Sequence, residues 1–376
     1  MKKYNFSIIF LFLKNLNFSL TRKKKKFLIL DSINKKHFYF LKKEDIFYID
    51  TRGKYLNFFV LLISIFYFLT SKASLFQSYI IAHIKFYKSE ILISNQEVIN
   101  FFDVKFFIKN IKTIFIQLDS KDEDSLEHFD KLNTKIDYIF CTGKYWADIY
   151  KKSCLQTIIY RKQFLFKKNL NNFNYSNKKI IYISTFRKNL NLSNKYFIDY
   201  NKNHIQNDFF LLNIIKKICL KYKLDLIIIP TYKPKNESIN LKELINLEKN
   251  YYNNILKGFN FKLIYKGLEN FYISNQNSLY VNIDSTLGYE LILKGFKCVF
   301  FPIRNNVIIS EFKNLPKKGK IWLKYKNYFE IKKIIINNFF SSRKTTNLLS
   351  KKIFRNFYSS SDDSLDLKLT KLLTQL

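Results

Sequence analysis

Short bursts of β-branched and aromatic residues recur along this chain, each followed by a stretch long enough for a helix. Strands that are apolar at every position bury both faces, and this requires helices on both sides of a parallel sheet. The bursts predict strands at Phe27 to Leu30, Ile46 to Ile49, Glu90 to Ile93, Thr113 to Ile116, Asp137 to Phe140 and Thr157 to Tyr160. Helices are expected at Tyr55 to Leu69, Leu75 to Tyr87 and Lys144 to Lys151. An Asn- and Lys-rich stretch, FKKNLNNFNYSNK, then breaks the rhythm as a linker would.

A second series begins at once. Its predicted strands are Lys179 to Ser184, Leu224 to Ile229, Phe261 to Tyr265, Leu279 to Ile283 and Cys298 to Phe301. Its predicted helices are Ile205 to Tyr222, Leu241 to Leu256, Leu287 to Lys294 and Tyr328 to Phe340. Ser360, Asp362 and Asp363 offer caps for a last amphipathic helix carrying Leu365, Leu369 and Leu372. The expected organisation is a leader over 1–25, an α/β domain over 26–165, a linker over 166–178, a second α/β domain over 179–340 and a helical tail over 341–376. Two doubly wound, Rossmann-like domains would face a cleft, with ligands at the carboxyl ends of their strands.

The chain has 376 residues and a formal charge of +36, with 65 Lys plus Arg against 29 Asp plus Glu. An aromatic fraction of 18% rules out a disordered basic tail. Only seven of the cations are Arg, and Gly numbers 7 and Pro 4, so part of this composition reads as nucleotide bias. Arg is the better fork for phosphates and base edges, so its scarcity argues against nucleic acid as the partner. Contact with an anionic membrane suits dispersed Lys at least as well, and the run Arg22 to Lys26 fits that use or a plain solvated leader.

Four cysteines without a CxxC pair, and four histidines that do not cluster, predict free thiols and no metal. The apolar stretch Ile8 to Leu13 is short for a signal peptide, and Phe58 to Phe68 is well under the roughly 20 residues of a membrane span. A cytoplasmic protein is expected, peripheral on the inner face of the membrane. Phe58 to Phe68 is apolar nearly all round; it reads as a helix packed on the sheet or as a lipid-facing patch.

The sharpest segment is LYVNIDSTLGYELILKGFKCVFFP, Leu279 to Pro302, read as strand, turn, helix, glycine stop, strand. Asp284, Ser285 or Thr286 can cap the helix, whose free amides and positive end make a seat for phosphate or simply an ordinary helix start. Gly288 permits a close approach there, and Glu290, one turn on from Thr286, can accept from ribose hydroxyls or sit in solvent.

That segment, with YIDTRGKYLN, DYIFCTGKYWADIYKK and IIYISTFR in order, resembles the surface carbohydrate biosynthesis proteins of bacteria. Those are similar to GT-B glycosyltransferases and, more distantly, to the nucleotide-sugar epimerases and polyol-phosphate transferases of the same fold. The resemblance implies a nucleotide-sugar partner, a glycan or lipid-linked acceptor and no metal cofactor. It assigns Asp284, Ser285, Thr286, Gly288 and Glu290 to the donor site, together with Ser184, Thr185 and Arg187, where Thr185 replaces the family's usual Gln.

On the acceptor side it points to Asp50, Thr51 and Arg52, which can equally form a turn with a local ion pair, and to Gln117. Gln117 continues into Leu118 and Asp119 where the family has Asn-Gly. Asp119 is the carboxylate that follows the predicted strand ending near Gln117, which makes it the candidate base for an acceptor hydroxyl. The same seat would serve an epimerase, a polyol-phosphate transferase or a non-catalytic subunit of glycan assembly, and the excess of Lys leaves a nucleic-acid-binding protein as the remaining alternative.

Overall fold

The computed structural model describes residues 16–18, 23–30, 35–49, 56–95, 102–118, 129, 131–160, 179–186, 195–231, 239–265, 271–272, 275, 277–283, 285–303, 312, 315–342, 348, 357–358 and 363–376. The chain divides into two compact units: 1–119 with 124–163 and 356–376, and 120–123 with 164–355. The last helix, expected as a separate tail, therefore belongs to the first unit.

In the first unit β1 (Leu16–Asn17) pairs in parallel with β4 (Leu56–Asn57). The main sheet has six parallel strands: β2 (Phe27–Leu30), β3 (Ile46–Ile49), β5 (Ile91–Ser94), β6 (Lys112–Ile116), β7 (Ile136–Cys141) and β8 (Cys154–Ile159). Their order is β3-β2-β5-β6-β7-β8. Alternation along each strand sorts the core into two layers, as the pleat requires. Leu28, Leu30, Leu92 and Phe115 pack with residues of α2 (Leu75–Tyr87) and α4 (Lys144–Tyr150). Phe27, Ile29, Ile91, Ile93, Ile114 and Ile116 pack on the other face with Leu365, Leu369 and Leu373 of α9 (Leu365–Gln375).

Local chemistry fixes the helix ends. Asn57 caps α1 (Phe58–Thr70) by accepting from the amides of Phe59 at 2.9 Å and Val60 at 3.3 Å. Ser74 and Gln77 form a reciprocal capping box at the start of α2, which ends on Lys88 in the left-handed region. Ser364, not one of the three residues expected, caps α9. His37 Nδ1 lies 2.5 Å from Asp366 and ties that helix to the 3-10 turn Lys35–Phe38.

One buried carboxylate stitches three elements together. Asp137 on β7 accepts from Lys105 on α3 (Val104–Phe107) at 2.7 Å, and from the amide and hydroxyl of Thr113 on β6 at 2.8 and 2.9 Å. Burial pushes its pKa up, but the Lys105 and Thr113 bonds and the Lys105 charge outweigh that and leave it below the usual carboxylate value.

The second unit is one parallel sheet of order β11-β10-β9-β12-β13. Its strands are β9 (Lys179–Ile183), β10 (Asp225–Ile229), β11 (Phe261–Leu263), β12 (Leu279–Asn282) and β13 (Lys297–Phe300). Its helices are α5 (Lys195–Tyr222), α6 (Ile239–Ile255), α7 (Thr286–Leu293) and α8 (Tyr328–Phe340). The chain winds from β9 outward through β10 to β11, then returns beside β9 to build β12 and β13 on the other side. The reversal lies between β9 and β12. In an open α/β sheet that is where the connecting loops diverge and a crevice opens beyond the strand ends.

Candidate functional site

The two segments proposed for the donor leave the sheet side by side at that reversal. Val281 of β12 is in register with Tyr182 of β9, so Ile283 is level with Ser184 on a strand about 4.8 Å away. Ser285 and the first turn of α7 follow directly. Asn282, fully buried at the end of β12, organises this turn. Its Oδ1 accepts from the Ser285 amide at 3.1 Å, while its Nδ2 donates to the Val299 carbonyl and to Cys298 Sγ, each at 3.3 Å.

Ser285 is the cap residue of α7, but its hydroxyl makes no cap bond. The Gly288 amide returns to the Ser285 carbonyl at 2.8 Å. Helix geometry thus gives the amides of Thr286 and Leu287 no partner within the helix, and the positive end of the helix is added to them.

Gly288 has a specific reason. A Cβ at that position would lie 2.4 Å from Asn282 Nδ2, so glycine admits the Asn282 side chain rather than relieving backbone strain. Glu290 is only 8% exposed, which removes the solvated reading. Burial, with the Glu290 charge added, raises the Tyr272 phenol above its usual pKa.

At the end of β9 a buried polar network takes up the next two residues. Ser184 Oγ donates to Glu248 Oε1 at 2.5 Å and accepts from the Tyr252 hydroxyl at 2.6 Å and the Phe186 amide at 3.1 Å. Glu248 also accepts from the Thr231 amide at 2.9 Å, which joins the loop after β10 to the loop after β9. Thr185 donates to Asp208 at 3.2 Å, and Asp208 also accepts from Tyr182 at 2.6 Å and Tyr251 at 2.9 Å. Burial, and then the Asp208 charge, raise the phenols of Tyr182, Tyr251 and Tyr252, so they stay protonated as donors.

The Ser184 and Thr185 hydroxyls are thus committed to internal bonds. They hold the strand end in place. Asp208, Glu248, Thr231, Tyr251, Tyr252 and Asn282 were not singled out in the sequence. One signal was present: Asn207 and Asp208 lie on the same helical stripe as the buried Leu211, Leu212 and Ile215, and Glu248 on that of Tyr252 and Leu256. A carboxylate on an apolar stripe implies a buried partner.

In the first unit Gln117 is fully buried just beyond β6. Its Oε1 accepts from the Thr142 amide at 3.3 Å and its carbonyl from the Tyr160 hydroxyl at 2.5 Å. Thr142 in turn donates to the Phe357 carbonyl at 3.1 Å. These bonds brace the loops after β6 and β7. Asp50, Thr51, Arg52, Asp119, Arg187, Asp284 and the Thr286 side chain lie outside the described residues. The four cysteines are free and buried, and burial pushes Cys141 and Cys219 up to about 12.

Among solved structures, the UDP-GlcNAc 2-epimerase of Methanocaldococcus jannaschii in complex with UDP-GlcNAc and UDP is similar at a TM-score of 0.54 and 11% identity. The match covers 93% of this chain and 99% of that one. The S. aureus MnaA–UDP co-structure is similar at a TM-score of 0.53 and 12% identity, over 94% and 96% of the two chains. At such identities the likeness shows the fold, an α/β chain with two parallel sheets as in GT-B proteins. No curated protein sequence matches the chain. Residues 115–363 match a family model described as "putative O-antigen biosynthesis protein". With well over half of its length matched, the chain belongs to this O-antigen biosynthesis family.

Proposed function

We propose that this protein is a glycosyltransferase that binds a nucleotide-sugar at the sheet reversal of its second unit and passes the sugar to a surface glycan or lipid-linked acceptor. The observation that supports this most directly is the adjacency of the β9 end and the start of α7 at the reversal. In this reading the amides of Thr286 and Leu287 meet the diphosphate, with Arg187 as a further cation. Glu290 faces the nucleoside.

Transfer forms a bond from the acceptor oxygen to the anomeric carbon and breaks the bond from that carbon to the phosphate. The nucleoside diphosphate leaves. Asp119 takes the acceptor's proton, and the helix end and cations stabilise the charge that develops on phosphate. Asp50, Thr51 and Arg52 serve the acceptor side. No metal is required by this scheme, since protein donors neutralise the leaving group. Work on a lipid-linked acceptor places the protein against the cytoplasmic face of the membrane, and among the described residues no helix is long and apolar enough to cross one.

Thermal shift with a panel of UDP-, GDP-, CDP- and CMP-sugars tests the seat, because a ligand at about 100 times its Kd stabilises the fold by about 2.7 kcal/mol. Thr286→Glu separates binding from folding. A carboxylate in the first turn favours the helix but repels phosphate, so the unliganded Tm should hold or rise while the ligand shift disappears. A variant that keeps the full shift overturns this placement of the phosphates. The likeness to the UDP-GlcNAc 2-epimerase of Methanocaldococcus jannaschii supports a second reading, in which the same seat serves epimerisation. Conversion of the nucleotide-sugar without any acceptor would favour it over transfer.

A further inference from the structure

The helix α1 is built inside out. It buries Ser64 at 1% exposure and turns Leu62, Ile65, Phe66 and Leu69 outward at 48, 42, 61 and 74%. Those four positions are spaced i, i+3, i+4, i+7, so they form one continuous stripe on the outer face. Phe68, at 46%, widens the stripe, and Phe18, at 65%, extends it at the start of the helix with its ring 5.2 Å from that of Phe58. The inner side is already satisfied: Val60 packs with Ala82 and Phe86 of α2, flanked by Phe59 and Ile63. Among the described residues, nothing covers the outer face. A stripe of this kind on a water-soluble surface marks an interaction site.

Charge identifies what covers it. Residues 54–89 hold four lysines and no Asp or Glu. The packing of Val60 on Phe86 sets α1 antiparallel to α2, so the start of α1 lies at the end of α2 that carries the exposed Lys85 and Lys88. The Lys25 amide bonds the Tyr87 carbonyl at 2.9 Å, and this brings the exposed Lys23 and Lys24 to the same end. Lys24 also meets Glu90 there, and the cations still outnumber that one carboxylate. Lys72 is exposed just past the other end. An apolar stripe bounded by cations complements the acyl edge and headgroups of an anionic bilayer.

A second copy of the chain would bring these lysines against their own kind at a net charge of +36 per copy, which opposes pairing. At 13 residues the helix is about 20 Å long, too short to span and suited to lying in the interface plane. We infer that the outer face of α1, through Leu62, Ile65, Phe66 and Leu69, inserts into an anionic lipid surface with Lys23, Lys24, Lys85, Lys88 and Lys72 on the headgroups. This deepens the proposed function by naming the surface that brings the protein to a lipid-linked acceptor. It rests on that reading only for its purpose.

The test uses the full chain with phosphatidylcholine vesicles, with or without phosphatidylglycerol, and Phe66→Trp as reporter. The native Trp146 and Trp322 are both buried and give a constant background. On phosphatidylglycerol vesicles the Phe66→Trp emission should shift to the blue; on phosphatidylcholine alone it should not. The triple variant Leu62→Ser, Phe66→Ser, Leu69→Ser should partition about tenfold less or worse, since that apolar area no longer leaves water. All three side chains are exposed, so the fold and the nucleotide-sugar thermal shift should be unchanged.

Protein that sediments with anionic vesicles while the Phe66→Trp emission is unmoved binds by another face, and the inference fails. It also fails if no vesicle binds, or if the blue shift appears without lipid as protein concentration rises, which would identify a second copy as the occupant. Loss of vesicle binding with the thermal shift intact removes this surface alone. The converse result removes the transferase reading and leaves the surface.

Discussion

His83 shows how one buried side chain can set the pH response of an element. It is 2% exposed on α2, stacked on Phe47 and met edge-on by Tyr79, and among the described residues neither ring nitrogen has a hydrogen-bond partner. Burial lowers its pKa to about 3. The unfolded imidazole titrates near 6.5, so below that pH the unfolded chain binds a proton that the folded chain refuses. The contribution is fully present above about pH 6.5 and is lost progressively as pH falls toward about 3. Between pH 6.5 and 5 the loss is on the order of 2 kcal/mol. In His83→Phe, with a ring of similar shape among the same aromatics, the gap in Tm from the parent should open in its favour as pH drops from 7 to 5. Equal losses in both proteins over that range would clear His83 of this role.

At the scale of elements, the α7 turn depends on the fit between Gly288 and Asn282. Gly288→Ala drives a methyl into the Asn282 amide, and Asn282 cannot yield without releasing the Ser285 amide and the Val299 carbonyl. Overpacking of this kind costs about 1–3 kcal/mol, and here it should also weaken nucleotide-sugar binding, read by titration calorimetry below the shifted Tm. Unchanged affinity would mean that the turn tolerates a displaced Asn282.

The existence of the turn was legible in the DSTLGYE block, whereas its organiser, Asn282, looked like one more strand residue. The same division holds more widely. Phe27–Leu30, Ile46–Ile49, Leu75–Tyr87 and Tyr328–Phe340 agree with the apolar rhythm end for end, because a strand or helix buried in a layered core must carry that rhythm. The β1–β4 pair is two residues per strand and has no period to detect. Glu248 and Asp208 escaped notice for another reason: which helix faces which strand end is a tertiary fact. Leu373, rather than the expected Leu372, completes the buried stripe of α9, a one-residue difference in phase.

At the scale of the whole molecule, the chain is nested: the first unit holds both termini and the second is inserted between them. Leu365, Leu369 and Leu373 cover a sheet face made more than 200 residues earlier, with His37 and Asp366 closing the join. Three buried leucines contribute about 5–9 kcal/mol, comparable with the 5–15 kcal/mol that hold a typical domain together. Losing a term of that size would take most or all of the stability of a typical domain. Leu365, Leu369 and Leu373 all pack into the core of the first unit. Ending the chain after Tyr358 should cost the first unit its cooperative unfolding transition while the transition of the second survives, as calorimetry with and without nucleotide-sugar would show. The surviving transition should be the one the ligand raises. Two intact transitions in the truncated chain would mean that α9 is a dispensable cover, and the nesting would then carry no energetic weight.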